Sequence, residues 1–341
     1  MHEDTASPAL APWLQGQLEQ LLAQRGHAWL LQGPSGLGQY SLALALVQAR
    51  LCDRPQAGGA CGHCASCHAV SVRTHPDLMV LMPETALLAL GWPLSEKAQS
   101  EIDDKKRKPS REIRVEAMRD AVEFAQRTSS RGRGKAVLVY PAEDMNHVTA
   151  NALLKTLEEP PGEVHFVLAS EAAHQLLPTI RSRCLSHQMI WPEEPLACRW
   201  LQGQGLDAGA AQALLRAAGG RPEDALMLAS EGLTPAGWSR LPRDLLRGDP
   251  GLLANWPAAR IIQSLQKLAH DLLAKAADAP ARYFDAADLP SAPAPAALSQ
   301  WARRLAQAAR TADHPYNPGL MLEALVSEAQ ITLNSHPEHT A

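Results

Sequence analysis

Two stretches of the chain carry residues at spacings that chemistry can use. The first, Gly33 to Ser41, reads GPSGLGQYS and has the glycine spacing of a phosphate-binding loop. In a working loop the backbone N–H groups cradle phosphates, a Lys cation reaches the β and γ oxygens, and a Ser or Thr hydroxyl holds Mg²⁺. Gly33, Gly36 and Gly38 are kept here, but Gln39 stands at the Lys position and Tyr40 at the hydroxyl position. Gln39 brings no charge, and Tyr40 puts a ring where the metal belongs. The expectation is a vestigial loop that binds no ATP.

The second stretch holds Cys52, Cys61, Cys64 and Cys67, of which the last three form CxxCxxC. Four thiolates close a tetrahedron and leave no open position for water or substrate, so a metal held there is structural. Zn²⁺ is the first choice. An iron–sulfur cluster is the rival, because CxxCxxC also begins the bacterial ferredoxin run, but that run asks for a further Cys at position 71, where this chain has Ser71. His63 and His68 lie close enough in sequence to replace a ligand, though four Cys suffice.

Alternating elements must position these groups. Leu10 to Arg25 has helical periodicity, and Ala28 to Gln32 is a short apolar run feeding the glycine loop. Ser41 to Leu51 is the helix after that loop, with Cys52 at its end. Asp77 to Met82, Ala136 to Tyr140 and Val164 to Ala169 are further short apolar runs, and their alternation with helices predicts a parallel sheet covered on both faces. ATP hydrolysis on such a sheet needs a carboxylate at a strand end to hold Mg²⁺. Here the strand AVLVYP runs into Tyr140 and Pro141, and Glu143 and Asp144 come only after the Pro, which opposes extension of the strand. Glu84 to Arg111, polar and containing DDKKRK, is expected to be an exposed, mobile loop. Ile113 to Arg127 resumes helical periodicity, and Asn146 to Glu159 is a helix stopped by Pro160 and Pro161. Beyond Pro192 the pattern is helical throughout, with breaks at Gly219, Gly220 and Pro222, a boundary at Gly248 to Pro250, and a loop over Asp278 to Pro295.

Composition bounds the partners. A chain of 341 residues with net charge −4 is long enough for two or three domains and is too nearly neutral for tight autonomous binding to nucleic acid. The start, MHEDTASPALAP, has no basic segment followed by an apolar stretch, and nowhere do eighteen apolar residues run together. A cytoplasmic protein without membrane contact is expected, in which clustered cysteines ligate metal before they form disulfides.

Taken together, the degenerate loop, the four-cysteine insertion after its helix, NALLKTLEEPP (151–161) and TIRSRC (179–184) resemble the bacterial clamp loader subunits of the AAA+ superfamily. The resemblance is dense from His27 to Pro192. In the helical remainder, GGRPEDAL (219–226) is similar to the family's lid segment, with Glu223 where ATP-binding members place an Arg. The resemblance implies an α/β AAA+ module over 1–190 with a four-cysteine zinc insertion at about 52–67, a helical lid over 191–232 and an all-α collar over 233–341. It implies that Arg183, with Ser182 and Cys184 of the motif, is an arginine finger reaching ATP held by a neighbouring subunit. It further implies delta and gamma or tau ATPase subunits as partners, and the sliding clamp and primer-template DNA through the complex. An active ATPase that tolerates Gln39 and Tyr40, and a zinc-ribbon nucleic-acid binder, are the alternatives.

Overall fold

In a computed structural model that describes residues 10–312, 314 and 316–335, the chain forms two compact units that divide between Pro192 and Glu193. The opening residues read above for a secretory signal lie mostly outside the described part. The first unit has strands β1 (Ala28–Gln32), β2 (Leu78–Leu81), β3 (Lys135–Val139), β4 (Val164–Ser170) and β5 (Leu185–Gln188). They make one parallel sheet in the order β2-β3-β4-β1-β5. Its helices are α1 (Pro12–Ala23), α2 (Gln39–Leu51), α3 (Ala65–Ser71), α4 (Glu84–Ala89), α5 (Glu96–Asp103), α6 (Val115–Gln126), α7 (His147–Glu158) and α8 (Pro178–Arg181). The central strands read as near-continuous apolar runs because both faces are covered, and β3 is buried along its whole length.

Strands β1 to β4 follow the hydrophobic runs. The edge strand β5 does not, because LSHQ is mostly exposed and gains its place through ladder bonds to β1 rather than through burial.

The segment 84–111 is not the exposed mobile loop that its polarity predicts. It contains α4 and α5, the latter capped by the Ser95 hydroxyl, which accepts the Ala98 N–H at 3.3 Å. Glu84 is buried and organises the segment, accepting from Arg107 Nη2 at 2.8 Å and from the Ser110 N–H at 2.8 Å, with Arg114 Nε at 3.3 Å. Arg107 also donates to Glu101 at 2.7 Å, so much of the basic run is engaged inside the segment. Burial alone would raise the Glu84 carboxyl, but Arg107, the Ser110 N–H and Arg114 outweigh it and hold it below the usual range. Its contribution to stability is therefore present above the ordinary carboxylate range and lost as pH falls below it. Glu84→Gln removes the charge that Arg107 and Arg114 share, leaving Arg107 only Glu101, and is expected to destabilise this segment by roughly 3 kcal/mol. The measurement is amide exchange over residues 84–114, which should accelerate in the variant.

The second unit is helical: α9 (Glu194–Gly203), α10 (Ala208–Ala217), α11 (Pro222–Ser230), α12 (Pro235–Leu246), α13 (Ala258–Ala276), α14 (Pro295–Ala309) and α15 (Pro318–Leu333). One apolar core runs through it from Ala197 to Leu333. The loop between α13 and α14 is pinned by the buried Asp271 carboxylate, which accepts the N–H groups of Arg282, Tyr283 and Phe284 at 2.9, 2.7 and 2.8 Å.

Candidate functional site

The glycine loop follows β1 directly. Its first N–H, from Gly33, bonds the Ser170 carbonyl at 3.2 Å, and a Cβ on Gly33 would come within 2.8 Å of Met189 Cβ. Gly38, with φ +94°, is the N-cap of α2 and needs glycine's freedom at positive φ. The Gln39 side chain is buried and turned back onto the loop, where Nε2 donates to the Gly33 and Pro34 carbonyls at 2.7 and 2.6 Å. The group at the Lys position is thus occupied by the loop itself. Next to it the Tyr40 hydroxyl accepts from Trp92 Nε1 at 2.7 Å, and the Tyr40 and Tyr140 rings lie 5.4 Å apart. Burial pushes the Tyr40 phenol up, and the Trp92 bond only partly offsets this, so the residue stays a neutral ring.

The acidic pair after β3 is held in a 3₁₀ turn, Ala142–Asp144, rather than on the strand. Tyr140 donates to Glu171 Oε1 at 2.8 Å, and the Glu171 N–H donates to Glu143 Oε1 at 2.9 Å. Glu143 Oε2 is buried with no hydrogen-bond partner, and burial together with Glu143 and Glu112 raises the Asp144 carboxyl.

At the far end of α2, Cys52 is the C-cap residue, and Cys64 is the N-cap of α3, its sulfur accepting the Cys67 N–H at 3.4 Å. The four Sγ atoms of Cys52, Cys61, Cys64 and Cys67 lie within 4.8 Å of one another. Measured separations are 3.8 Å for Cys52 and Cys64, 3.9 Å for Cys61 and Cys67, and 3.6 Å for Cys52 and Cys67. A tetrahedron with metal–sulfur bonds of about 2.3 Å has edges of about 3.8 Å. A disulfide would need about 2.05 Å, and all four thiols are free. The spacing therefore fits one tetrahedral ion. Asp53 closes the module by accepting the Ser66 hydroxyl at 2.6 Å and the Ser66 N–H at 3.3 Å. His63 and His68 stand outside this donor set. A zinc ion held there would supply a cross-link and no reactive position.

Arg183 lies in the turn between α8 and β5. Its Nε donates to Glu158 Oε1 at 2.8 Å, Nη2 reaches the same oxygen, and Nη1 donates to the Thr179 carbonyl at 2.8 Å. Ser182 Oγ donates to the same carbonyl at 3.2 Å, while Cys184 packs against the sheet core and burial pushes its thiol up to about 12. Glu158 was not foreseen from the sequence. The available signal was an acidic residue ending α7, where the helix macrodipole disfavours negative charge unless a cation meets it.

A family model described as DNA polymerase III, delta subunit, matches residues 9–190. The chain belongs to that family. A DNA polymerase III subunit delta' from Pseudomonas aeruginosa is 40% identical over 226 residues, covering 65% of this chain and 62% of that protein. The subunit delta' of Escherichia coli K12 is 37% identical over 223 residues, covering 64% of this chain and 60% of that protein. The chain thus spans about three fifths of the length of these curated relatives. Among solved structures, a DNA polymerase III gamma subunit-related protein from Thermotoga maritima aligns with a TM-score of 0.47 at 18% identity, covering 94% of this chain and 99% of that one.

The loop, the cysteines and Arg183 of this DNA polymerase III family member thus occupy three places in the first unit, the first two at opposite ends of one helix. Glu223 lies in the second unit, in the first turn of α11, beside an Arg221–Asp224 ion pair of 3.0 Å. No helix among the described residues is long and apolar enough to cross a membrane.

Proposed function

We propose that the chain is a delta prime type stator of the DNA polymerase III clamp loader, a subunit that hydrolyses no ATP and supplies Arg183 in trans to ATP held by a neighbouring gamma or tau subunit. The observation that carries this reading is the Gln39 amide bonded to the Gly33 and Pro34 carbonyls, at the position where an ATPase needs a Lys cation aimed at phosphate. The ring of Tyr40 at the metal-ligand position and the acidic pair lying off the end of β3 agree with it. The guanidinium of the Ser-Arg-Cys motif is intact, and a cation supplied across an interface stabilises the charge that spreads over phosphoryl oxygens in the transition state.

In this reading residues 1–190 are the AAA+ module, 191–232 the lid and 233–341 the collar that joins the ring. The cysteine insertion holds structural Zn²⁺. The delta subunit is the other neighbour, and the assembled complex places the sliding clamp on primer-template DNA as part of a cytoplasmic polymerase holoenzyme. The test is equilibrium binding of labelled ATP to the purified chain. No Mg²⁺-dependent binding in the micromolar range is expected, and the double variant Gln39→Lys, Tyr40→Thr should gain measurable affinity. Saturable micromolar binding by the unaltered chain would overturn the reading.

A further inference from the structure

At the other end of β1 from the glycine loop, the first unit forms a cleft of about 690 Å³ between the ends of α1 and α2 and the turns that precede β3 and β4. His27, Arg50, Arg133 and His165 line it. The Arg50 guanidinium lies 4.9 Å from the centre of the Trp29 ring, and its acceptors are two distant carbonyls, Leu21 at 3.4 Å and Gln24 at 3.3 Å. Its Nε is buried with no partner, as are His165 Nδ1 and Trp29 Nε1. The His165 ring is tilted against Trp29 at 5.6 Å, so Arg50, Trp29 and His165 pack together, with Arg50 and His165 lining the cleft and Trp29 buried behind them.

The two carboxylates of the lining, Glu19 and Glu163, are both exposed. Glu19 accepts the Gln15 amide at 3.1 Å, and no ion pair joins either carboxylate to Arg50 or Arg133 among the described residues.

A half-buried guanidinium with an unpaired Nε and no counterion is costly, and a ligand that supplies the missing charge reduces that cost. The guanidinium fork matches oxyanions that accept two parallel hydrogen bonds. We propose that this cleft binds a small phosphate-class oxyanion, with Arg50 as its principal charge, Arg133 closing over it from the rim and His165 beside it. A free anion fits better than a nucleic-acid backbone, because a strand needs a track of cations across a face and the chain as a whole carries net charge −4. His165 reports the occupancy. Burial holds its imidazole down to about 4, with Arg50 and His27 adding to the effect, and an anion would reverse the sign of the charge contribution.

The experiment titrates pyrophosphate into the purified full chain at low salt and mildly acidic pH, following the His165 imidazole resonances and the heat of binding. One saturable site is expected, with His165 gaining proton occupancy. Affinity should fall about tenfold or more in Arg50→Gln and also in Arg133→Ser, an exposed position where folding is not at risk. Pyrophosphate that leaves His165 unmoved overturns the proposal, as does affinity unchanged in both variants, which would place the anion elsewhere. A single-stranded oligonucleotide that moves His165 where pyrophosphate does not would equally overturn it, in favour of a strand.

Discussion

Arg183→Ala in a reconstituted clamp loader is expected to lower ATP turnover at the site that Arg183 faces by about a thousandfold or more, with the fold of the subunit unchanged. The magnitude comes from electrostatics. A guanidinium placed against a charge-rich transition state in a dry interface acts far more strongly than the same group in water. The loss to folding is small, because the bond to Glu158 is half exposed and such pairs contribute about 1 kcal/mol or less. Arg183→Lys should recover little, since a single ammonium cannot reproduce the fork. In the isolated chain the fork is held by Glu158 and the Thr179 carbonyl, so under the proposed role a phosphate offered by a neighbour would compete with a carboxylate for it. Single-turnover measurement on the assembled complex decides the matter. Undiminished hydrolysis and clamp loading would remove Arg183 from the mechanism.

Removal of the metal is expected to have the largest effect on stability. Metal analysis of the purified chain should give one zinc per chain, and Cys64→Ser should lose it. Cys64 is nearly buried and caps α3 with its sulfur, so the variant loses a ligand and a helix cap together. Binding of a structural zinc contributes on the order of 10 kcal/mol in small domains, and several kcal/mol of that should appear here as local unfolding from Cys52 to Ser71. The thiols must lose protons to ligate, so the metal should be released as pH falls, with burial making Cys52 and Cys67 the most reluctant to ionise without it. Amide exchange across the insertion, with and without chelator, checks both points. An insertion equally protected after complete metal loss would contradict the structural assignment.

What the sequence revealed and what it hid have a common physical basis. Apolar runs between turn residues located β1 to β4, and in β1, β3 and β4 burial on two faces demands them. Edge strand β5 stayed hidden, since LSHQ satisfies its ladder without contributing an apolar face to either layer. The cysteine spacing was legible because ligand number and reach are local properties. Segment 84–111 was misread because its order comes from one buried carboxylate gathering Arg107 and Arg114, a pattern that resembles a solvated charge run until the chain is folded. Loss of the loop Lys was visible, but not that Gln39 would turn inward and bond the loop's own carbonyls. The partnership of Glu158 with Arg183 spans two elements, so no spacing rule announces it.

Helix α2 joins the glycine loop to the sulfur cluster, and its 13 residues make a strut about 20 Å long. One end is fastened by Gln39 and the other by the cysteines, so neither can shift without tilting the rod. Demetallation should therefore be audible at Tyr40, a helix length away, as altered packing of its ring against Trp92 and Tyr140. The insertion would then serve as a remote anchor for the surface that Tyr40, Trp92 and Tyr140 form at the other end of the rod.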